Sequence, residues 1–105
     1  MSIKFDGTNI KRGSSTVANL KRSDELREGT SSAGKVLGNI KRGDEIREGS
    51  SSAGKVLCNI KDGRYIRERS SSAGKQLIKI QDAAKAIGTS SQGPSTALVW
   101  YFFAR

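Results

Sequence analysis

Residues 39–58 read NIKRGDEIREGSSSAGKVLC, and this stretch decides the fold because it is one copy of a tandem repeat. Residues 19–38 read NLKRSDELREGTSSAGKVLG and match it at 15 of 20 positions, and residues 59–78 read NIKDGRYIRERSSSAGKQLI. A degenerate copy precedes them, and a fifth copy begins at Lys75 and stops at Asp82. A repeat of this length indicates one supersecondary unit per copy.

Each copy has the pattern of a β-hairpin followed by a serine-rich linker. Residues 55–61 and 64–68 have the β-branched content and length typical of strands. Asp62 and Gly63 between them are typical of a two-residue hairpin turn, because both residues tolerate positive φ. The Ser-Ser-Ala-Gly segment then returns the chain to the next hairpin.

The repeat predicts a mainly β chain that forms a single domain over residues 1–105. The hairpin repeats are predicted at residues 1–18, 19–38, 39–58 and 59–78, and a C-terminal helix and tail segment at residues 79–105. Two arrangements suit such units. The hairpins are set radially around an axis, as in a flower or prism, or the chain forms stacked coils, as in a β-solenoid.

The charge pattern helps to choose between these arrangements. Parallel stacking would place identical residues ~4.8 Å apart, so Arg27, Arg47 and Arg67 would form a ladder of like charge. Each unscreened pair would cost about 3.5 kcal/mol at an effective dielectric constant of about 20, unless the neighbouring glutamate ladder compensated it. The charge pattern therefore favours the radial arrangement.

The units also resemble those of bacterial β-flower repeat proteins, whose copies read roughly N-I-x-G-x-x-I-R-x-G-S-S-S-x-G-K-V-L. The likeness covers about residues 1–81 and is carried in one unit by Asn39, Ile40, Gly43, Ile46, Arg47, Gly49, Ser50, Ser51, Ser52, Gly54, Lys55, Val56 and Leu57. The resemblance implies a radial fold and no established activity. The departures are Arg69 in place of glycine, Asp-Gly-Arg instead of Arg-Gly-Asp at residues 62–64, and a shortened first linker.

The C-terminal segment differs in character from the repeats. Residues 82–88 have the pattern of a short helix, with Asp82 as N-cap and Gly88 just past the end. Residues 97–103 read ALVWYFF and are apolar on every face, so we expect burial. Pro94 favours a helix there and the aromatic run favours a strand, so both remain open. The residues predicted to anchor the tail or an oligomer are Trp100, Tyr101, Phe102 and Phe103.

Composition gives two expectations about partners. Hydrophobic residues make up 34% of the chain, so we expect a thin core that a homo-oligomer completes. The 19 Lys and Arg against 10 Asp and Glu give a net charge of +9, which attracts polyanions such as nucleic acids. The residues predicted to bind a polyanion flank the hairpin turns and are Lys21, Arg22, Lys41, Arg42 and Lys61. The competing interpretation is a merely solubilising surface.

Two catalytic motifs are matched in part. Residues 29–35 fit the first seven positions of the phosphate loop G-x-x-x-x-G-K, but Val36 stands where that motif needs Ser or Thr. Ser32 and Lys35 fit the S-x-x-K of serine acyl enzymes, which works on a helix rather than a glycine-containing β linker. Both matches recur with the repeat, which favours a structural role for these residues over a catalytic or phosphate-binding one.

The absence of histidine and the presence of a single cysteine, Cys58, exclude the commonest general base and a zinc site. We therefore predict a noncatalytic β-repeat module for assembly or binding, with no cofactor, no metal and no evident small-molecule substrate. The alternatives are polyanion binding and association of the aromatic tail with a membrane surface. No signal peptide or apolar span is evident, so a cytoplasmic location is expected.

Overall fold

The computed structural model describes residues 3–21, 24–30, 34–41, 43–49, 54–61, 63–69, 74–90 and 92–105. Within these ranges nine strands and two helices follow one another: β1 (Ile3–Phe5), β2 (Asn9–Arg12), β3 (Ser15–Lys21), β4 (Glu25–Glu28), β5 (Val36–Lys41), β6 (Glu45–Glu48), β7 (Val56–Asn59), β8 (Tyr65–Glu68), β9 (Gln76–Lys79), α1 (Ile80–Ala86) and α2 (Pro94–Phe103). The prediction of a mainly β chain is confirmed.

All nine strands belong to one sheet, in which each strand pairs antiparallel with its sequence neighbours in the order β1 to β9. The predicted hairpins are thereby confirmed. The β-solenoid alternative is wrong, because stacked coils require parallel neighbours. Equivalent strands of successive units are two strands apart, about 10 Å, so Arg27, Arg47 and Arg67 do not form a close ladder of like charge.

The backbone repeats its pairing from unit to unit. Equivalent N–H groups donate to equivalent carbonyl oxygens: Leu20 to Thr8, Ile40 to Asp24, Ile60 to Asp44 and Ile80 to Arg64, at 2.7–2.9 Å. The degenerate first copy and the incomplete fifth copy therefore share the geometry of the complete units. The fifth copy keeps this pairing as far as Ile80, where α1 begins in place of a second hairpin strand.

The turn of the third hairpin is longer than the predicted pair of residues. Gly63 has the expected positive φ of 73°, and its N–H donates to the carbonyl of Ile60 at 2.9 Å. However, β7 ends at Asn59 and β8 begins at Tyr65, so Asp62 and Gly63 do not form the whole connection. Asp62 itself lies outside the described residues.

A β-bulge recurs in the described part of the repeats. The pairing shifts register after Ile10, Leu26, Ile46 and Ile66. The bulged residues, which have no paired residue on the neighbouring strand, are Val17, Leu37, Leu57 and Leu77. A bulge bends its strand and increases the right-handed twist, so bulges at equal steps curl the sheet. Each bulged side chain packs against the core.

The core lies between this curled sheet and the two helices. Each unit contributes one completely buried aliphatic side chain, namely Ile10, Leu26, Ile46 and Ile66. The tail is a helix rather than a strand, since α2 begins at Pro94 and contacts α1, β5, β6 and β7. Ala97, Leu98 and Val99 are completely buried because helix and sheet cover α2 on different sides. The predicted burial of residues 97–103 is confirmed for residues 97–100, whereas Tyr101, Phe102 and Phe103 are half-buried.

Helix α1 connects the two ends of the sheet and begins earlier than predicted. Its N-cap is Lys79, so the prediction of Asp82 as N-cap is wrong; the chain enters the helix directly from β9. Asp82 lies in the first turn, where a carboxylate interacts favourably with the helix dipole. Gly88 follows the helix with φ 64°, as predicted. At this end the N–H of Phe5 in β1 donates to the carbonyl of Ile87 at 2.8 Å.

Arg69 is the one non-glycine residue with positive φ in the described part of the chain, at 61°, where Gly29 and Gly49 have 77° and 71°. A non-glycine residue in this region costs roughly 1–2 kcal/mol. Glycine avoids that cost, but it loses more conformational entropy on folding, which offsets part of the gain. We therefore expect Arg69→Gly to raise the free energy of unfolding by about 1 kcal/mol in urea denaturation. The matched control, Gly49→Arg, should lower it. An unchanged denaturation midpoint for Arg69→Gly would contradict the prediction.

Candidate functional site

The hairpin turns and the serine-rich linkers lie at opposite ends of the strands. We call one end the turn rim; its described residues are 6–8, 24, 43–44, 60–61 and 63–64. We call the other end the linker rim; its described residues are 13–14, 29–30, 34–35, 49, 54–55, 69 and 74–75. The serines of the two catalytic motifs, Ser32, Ser52 and Ser72, lie outside the described residues.

Buried asparagines hold the first carbonyl of each linker. The donors and acceptors are Asn19 to Gly29, Asn39 to Gly49 and Asn59 to Arg69. These amides are at most 8% exposed, and a buried amide without a partner would cost about 1–3 kcal/mol. This role is not among the predictions from the sequence, although the recurrence of asparagine at the start of each complete unit is the signal for it.

Arginines hold the other end of each linker. The Nη1 atoms donate to glycine carbonyls at 2.8–2.9 Å: Arg27 to Gly34, Arg47 to Gly54 and Arg67 to Gly74. In the first two complete units the same guanidinium pairs with the carboxylate two residues earlier, Glu25 at 2.9 Å and Glu45 at 2.7 Å. In the third unit Tyr65 replaces that carboxylate, and Arg67 lies 5.5 Å from the centre of its ring. Both ends of each linker are thus fixed to the sheet.

The linker rim presents one exposed lysine per unit. Lys35, Lys55 and Lys75 are exposed. Each accepts a backbone hydrogen bond of 2.9 Å on its carbonyl, from Glu28, Glu48 and Glu68 respectively. Since these lysines directly precede the alternate strands β5, β7 and β9, neighbouring ones start about 10 Å apart. Within the described ranges, no carboxylate forms an ion pair with them.

Three of the cations predicted to bind a polyanion are described by the structure, and they lie at the turn rim beside carboxylates. Lys21 and Lys41 are half-buried and face Glu25 and Glu45 across their hairpins. The Nζ atom of Lys61 lies 3.5 Å from Oε2 of Glu45. These carboxylates offset part of the positive charge. The remaining two residues of the predicted site, Arg22 and Arg42, lie outside the described residues.

The four residues predicted as an anchor lie in α2 of the same chain. Trp100 is buried, and Tyr101, Phe102 and Phe103 are half-buried. Phe102 lies so close to Gly38 that a Cβ atom there would be 2.6 Å from its ring. The tail therefore covers the sheet of its own chain, and no second subunit is needed to supply this part of the core. The homo-oligomer and the membrane contact stay predictions.

The lone thiol is buried, and the described acidic residues are dispersed with respect to metal binding. Cys58 is completely buried, and this burial raises the pKa of its thiol to about 12. A thiol with this pKa stays protonated near neutral pH and is a poor nucleophile. Across the described ranges, no three histidine, cysteine, aspartate or glutamate side chains are grouped to hold a metal ion.

Comparison with known proteins adds no relative. No protein-family model, curated protein sequence or solved structure matches this chain. In the part of the chain that the structure describes, no helix combines the length and apolarity needed to cross a membrane. Function is therefore inferred from the two rims and their charges.

Proposed function

We propose that this chain is a noncatalytic binding module whose linker rim holds the phosphate backbone of a nucleic acid. The observation that carries the proposal is the row of Lys35, Lys55 and Lys75, which are exposed and stand at the same position of consecutive units. Flexible lysine side chains that start about 10 Å apart can reach separate phosphates of one backbone, and such contacts supply most of non-specific affinity.

The fixed backbone of the linker rim supports this role. The carbonyl groups of the three lysines are bonded to β4, β6 and β8. The carbonyls of Gly34, Gly54 and Gly74, one residue earlier, are bonded to arginine side chains. Binding therefore orders little more than the lysine side chains themselves, which lowers the entropic cost of association.

Other charges near the linker rim influence the expected affinity for nucleic acid. Arg12 and Arg69 are exposed there and add to the positive charge, whereas the exposed Glu28 and Glu48 reduce it. The rim has no exposed aromatic row for base stacking among its described residues, so sequence preference is not expected. Affinity in the range of non-specific binding, a Kd of about 1–100 μM, follows.

We also propose that the hairpins are arranged radially, as the resemblance to β-flower repeat proteins implies. The hydrogen bond between Phe5 and Ile87, which joins β1 to the end of α1, supports this arrangement. The position of α2 against β5, β6 and β7 supports it as well. A self-assembling role is the weaker candidate, because α2 already covers the sheet of its own chain.

Two triple variants test the proposal against the site predicted from the sequence. Changing Lys35, Lys55 and Lys75 to Gln should weaken binding of an oligonucleotide of about 20 nucleotides at least tenfold at about 50 mM salt. The slope of log affinity against log salt should become smaller by about 2, because three phosphate contacts are lost. Fluorescence anisotropy measures both quantities.

The matched variant changes Lys21, Lys41 and Lys61 to Gln, which removes the same charge from the turn rim. It should weaken binding less than about threefold through the long-range field alone. Equal losses in the two variants would show that net charge, not the linker rim, determines binding. A larger loss in the turn-rim variant would overturn the proposal in favour of the turn rim. Thermal unfolding of each variant confirms that it is folded.

A further inference from the structure

A cleft of about 240 Å³ lies at the turn rim, between the third complete hairpin and the start of α1. Its polar and aromatic lining residues are Arg64, Tyr65, Lys79, Gln81 and Gln92. Arg64 and Lys79 are exposed, and Tyr65 is half-buried. Two cations, one aromatic ring and two amides thus surround one concave surface, at the opposite end of the strands from the linker rim.

The cleft coincides with the place where the third unit departs from the repeat. The first two complete units carry Asp24-Glu25 and Asp44-Glu45 after the turn, whereas the third carries Arg64 and Tyr65. Two carboxylates are therefore replaced by one guanidinium and one ring. Asp62 stands where the first two complete units carry Arg22 and Arg42, so the net charge over the turn is 0 at residues 21–25 and 41–45 and +1 at residues 61–65. The third turn is therefore more favourable to anions by one charge.

The linker of the third complete unit keeps its contact with the sheet without needing Arg64 or Tyr65. Arg67 donates to the carbonyl of Gly74 at 2.9 Å, as its counterparts Arg27 and Arg47 do in their units. Its guanidinium lies over the ring of Tyr65, where those counterparts have a carboxylate. The arginine thus keeps its position with either neighbour, and the tyrosine adds an aromatic surface to the cleft.

We infer that this cleft binds a small phosphate ester that carries an aromatic ring, the chemical class of the nucleoside monophosphates. The guanidinium of Arg64 and the ammonium of Lys79 pair with phosphate oxygens. The ring of Tyr65 contacts the ring of the ligand, and the amides of Gln81 and Gln92 offer both donors and acceptors to its polar edge.

The size of the cleft limits the ligand. Sites for drug-sized molecules enclose about 300–1,000 Å³, so a cleft of about 240 Å³ accommodates one ring and one phosphate rather than a dinucleotide. Its charged residues are exposed, which weakens their interaction with phosphate in water. We expect a Kd of about 0.1–1 mM.

Titration with adenosine monophosphate, followed in two-dimensional amide NMR spectra, tests the inference. The expected shifts are at Gly63, Arg64, Tyr65 and Lys79, with at least tenfold weaker binding of inorganic phosphate and of adenosine. The double variant Arg64→Asp, Tyr65→Glu carries the residues of the second complete unit at these two positions, which the hairpin accepts there, while removing the proposed contacts. It should bind adenosine monophosphate at least tenfold more weakly.

The control variant Lys35→Gln removes a cation from the linker rim and should leave the affinity unchanged. Its result also separates this inference from the proposed function, because oligonucleotide binding depends on that rim and nucleotide binding does not. Three results would overturn the inference: equal affinity in the double variant, shifts centred on the linker rim, or equal affinity for inorganic phosphate and adenosine monophosphate.

Discussion

A chain that ends at Gly93, and therefore lacks α2, will lose its cooperative unfolding transition. Helix α2 buries Leu98 and Val99 completely and leaves Trp100 only 6% exposed. Burial of each aliphatic side chain contributes about 1.5–3 kcal/mol, and truncation of a buried tryptophan costs about 3–5 kcal/mol. The sum approaches the whole net stability of a small domain, about 5–15 kcal/mol.

Thermal unfolding followed by near-ultraviolet circular dichroism checks this prediction. The matched control ends at Phe103 and removes only Ala104 and Arg105, which are half-buried and exposed. The control should unfold cooperatively near the temperature of the full chain. If the chain that ends at Gly93 unfolded at the same temperature, α2 would not be part of the core.

Replacing Gly38 by isoleucine, the residue at position 78, will lower the free energy of unfolding by about 3 kcal/mol. A Cβ atom at Gly38 alone would lie 2.6 Å from Cε2 of Phe102 and 3.0 Å from the carbonyl oxygen of Arg47. The larger side chain therefore forces α2 away from β5. Urea denaturation at constant temperature measures the effect.

A double-mutant cycle isolates the contact between Gly38 and Phe102. The Phe102→Ala change removes the ring that the isoleucine meets, so the double variant should be more stable than the sum of the single changes by at least about 1 kcal/mol. If the changes in the free energy of unfolding were strictly additive, the isoleucine and the ring of Phe102 would not interact. Gly38→Ala supplies an intermediate step, with an expected loss of about 1 kcal/mol.

The sequence predicts those parts of the fold that depend on local pattern. The alternation around Ile46 and the glycine at position 43 suffice for a hairpin, and the repeat extends this conclusion to the other units. The position of Gly88 after α1 follows from the same kind of local rule. The bulge at Leu37 is not predictable, because a one-residue shift depends on how both strands pair.

Features that depend on distant residues could not be predicted. Residues 97–103 have no polar face and hence no period that separates helix from strand. Only the packed structure explains the small residue at position 38, since Phe102 of α2 lies against it. The cleft is non-local as well, because Gln92 joins Arg64 and Tyr65 across nearly thirty residues of chain.

The hydrogen bond from Phe5 to Ile87 has a consequence for the exposed edge of the sheet. Hairpins that pair with their neighbours can in principle be added without end, and an open edge strand would also accept strands from other molecules. On the outer edge of β1, the N–H of Phe5 donates its hydrogen bond to the carbonyl of Ile87. The end of α1 therefore covers this point on the edge of β1, where a strand from another molecule could otherwise pair.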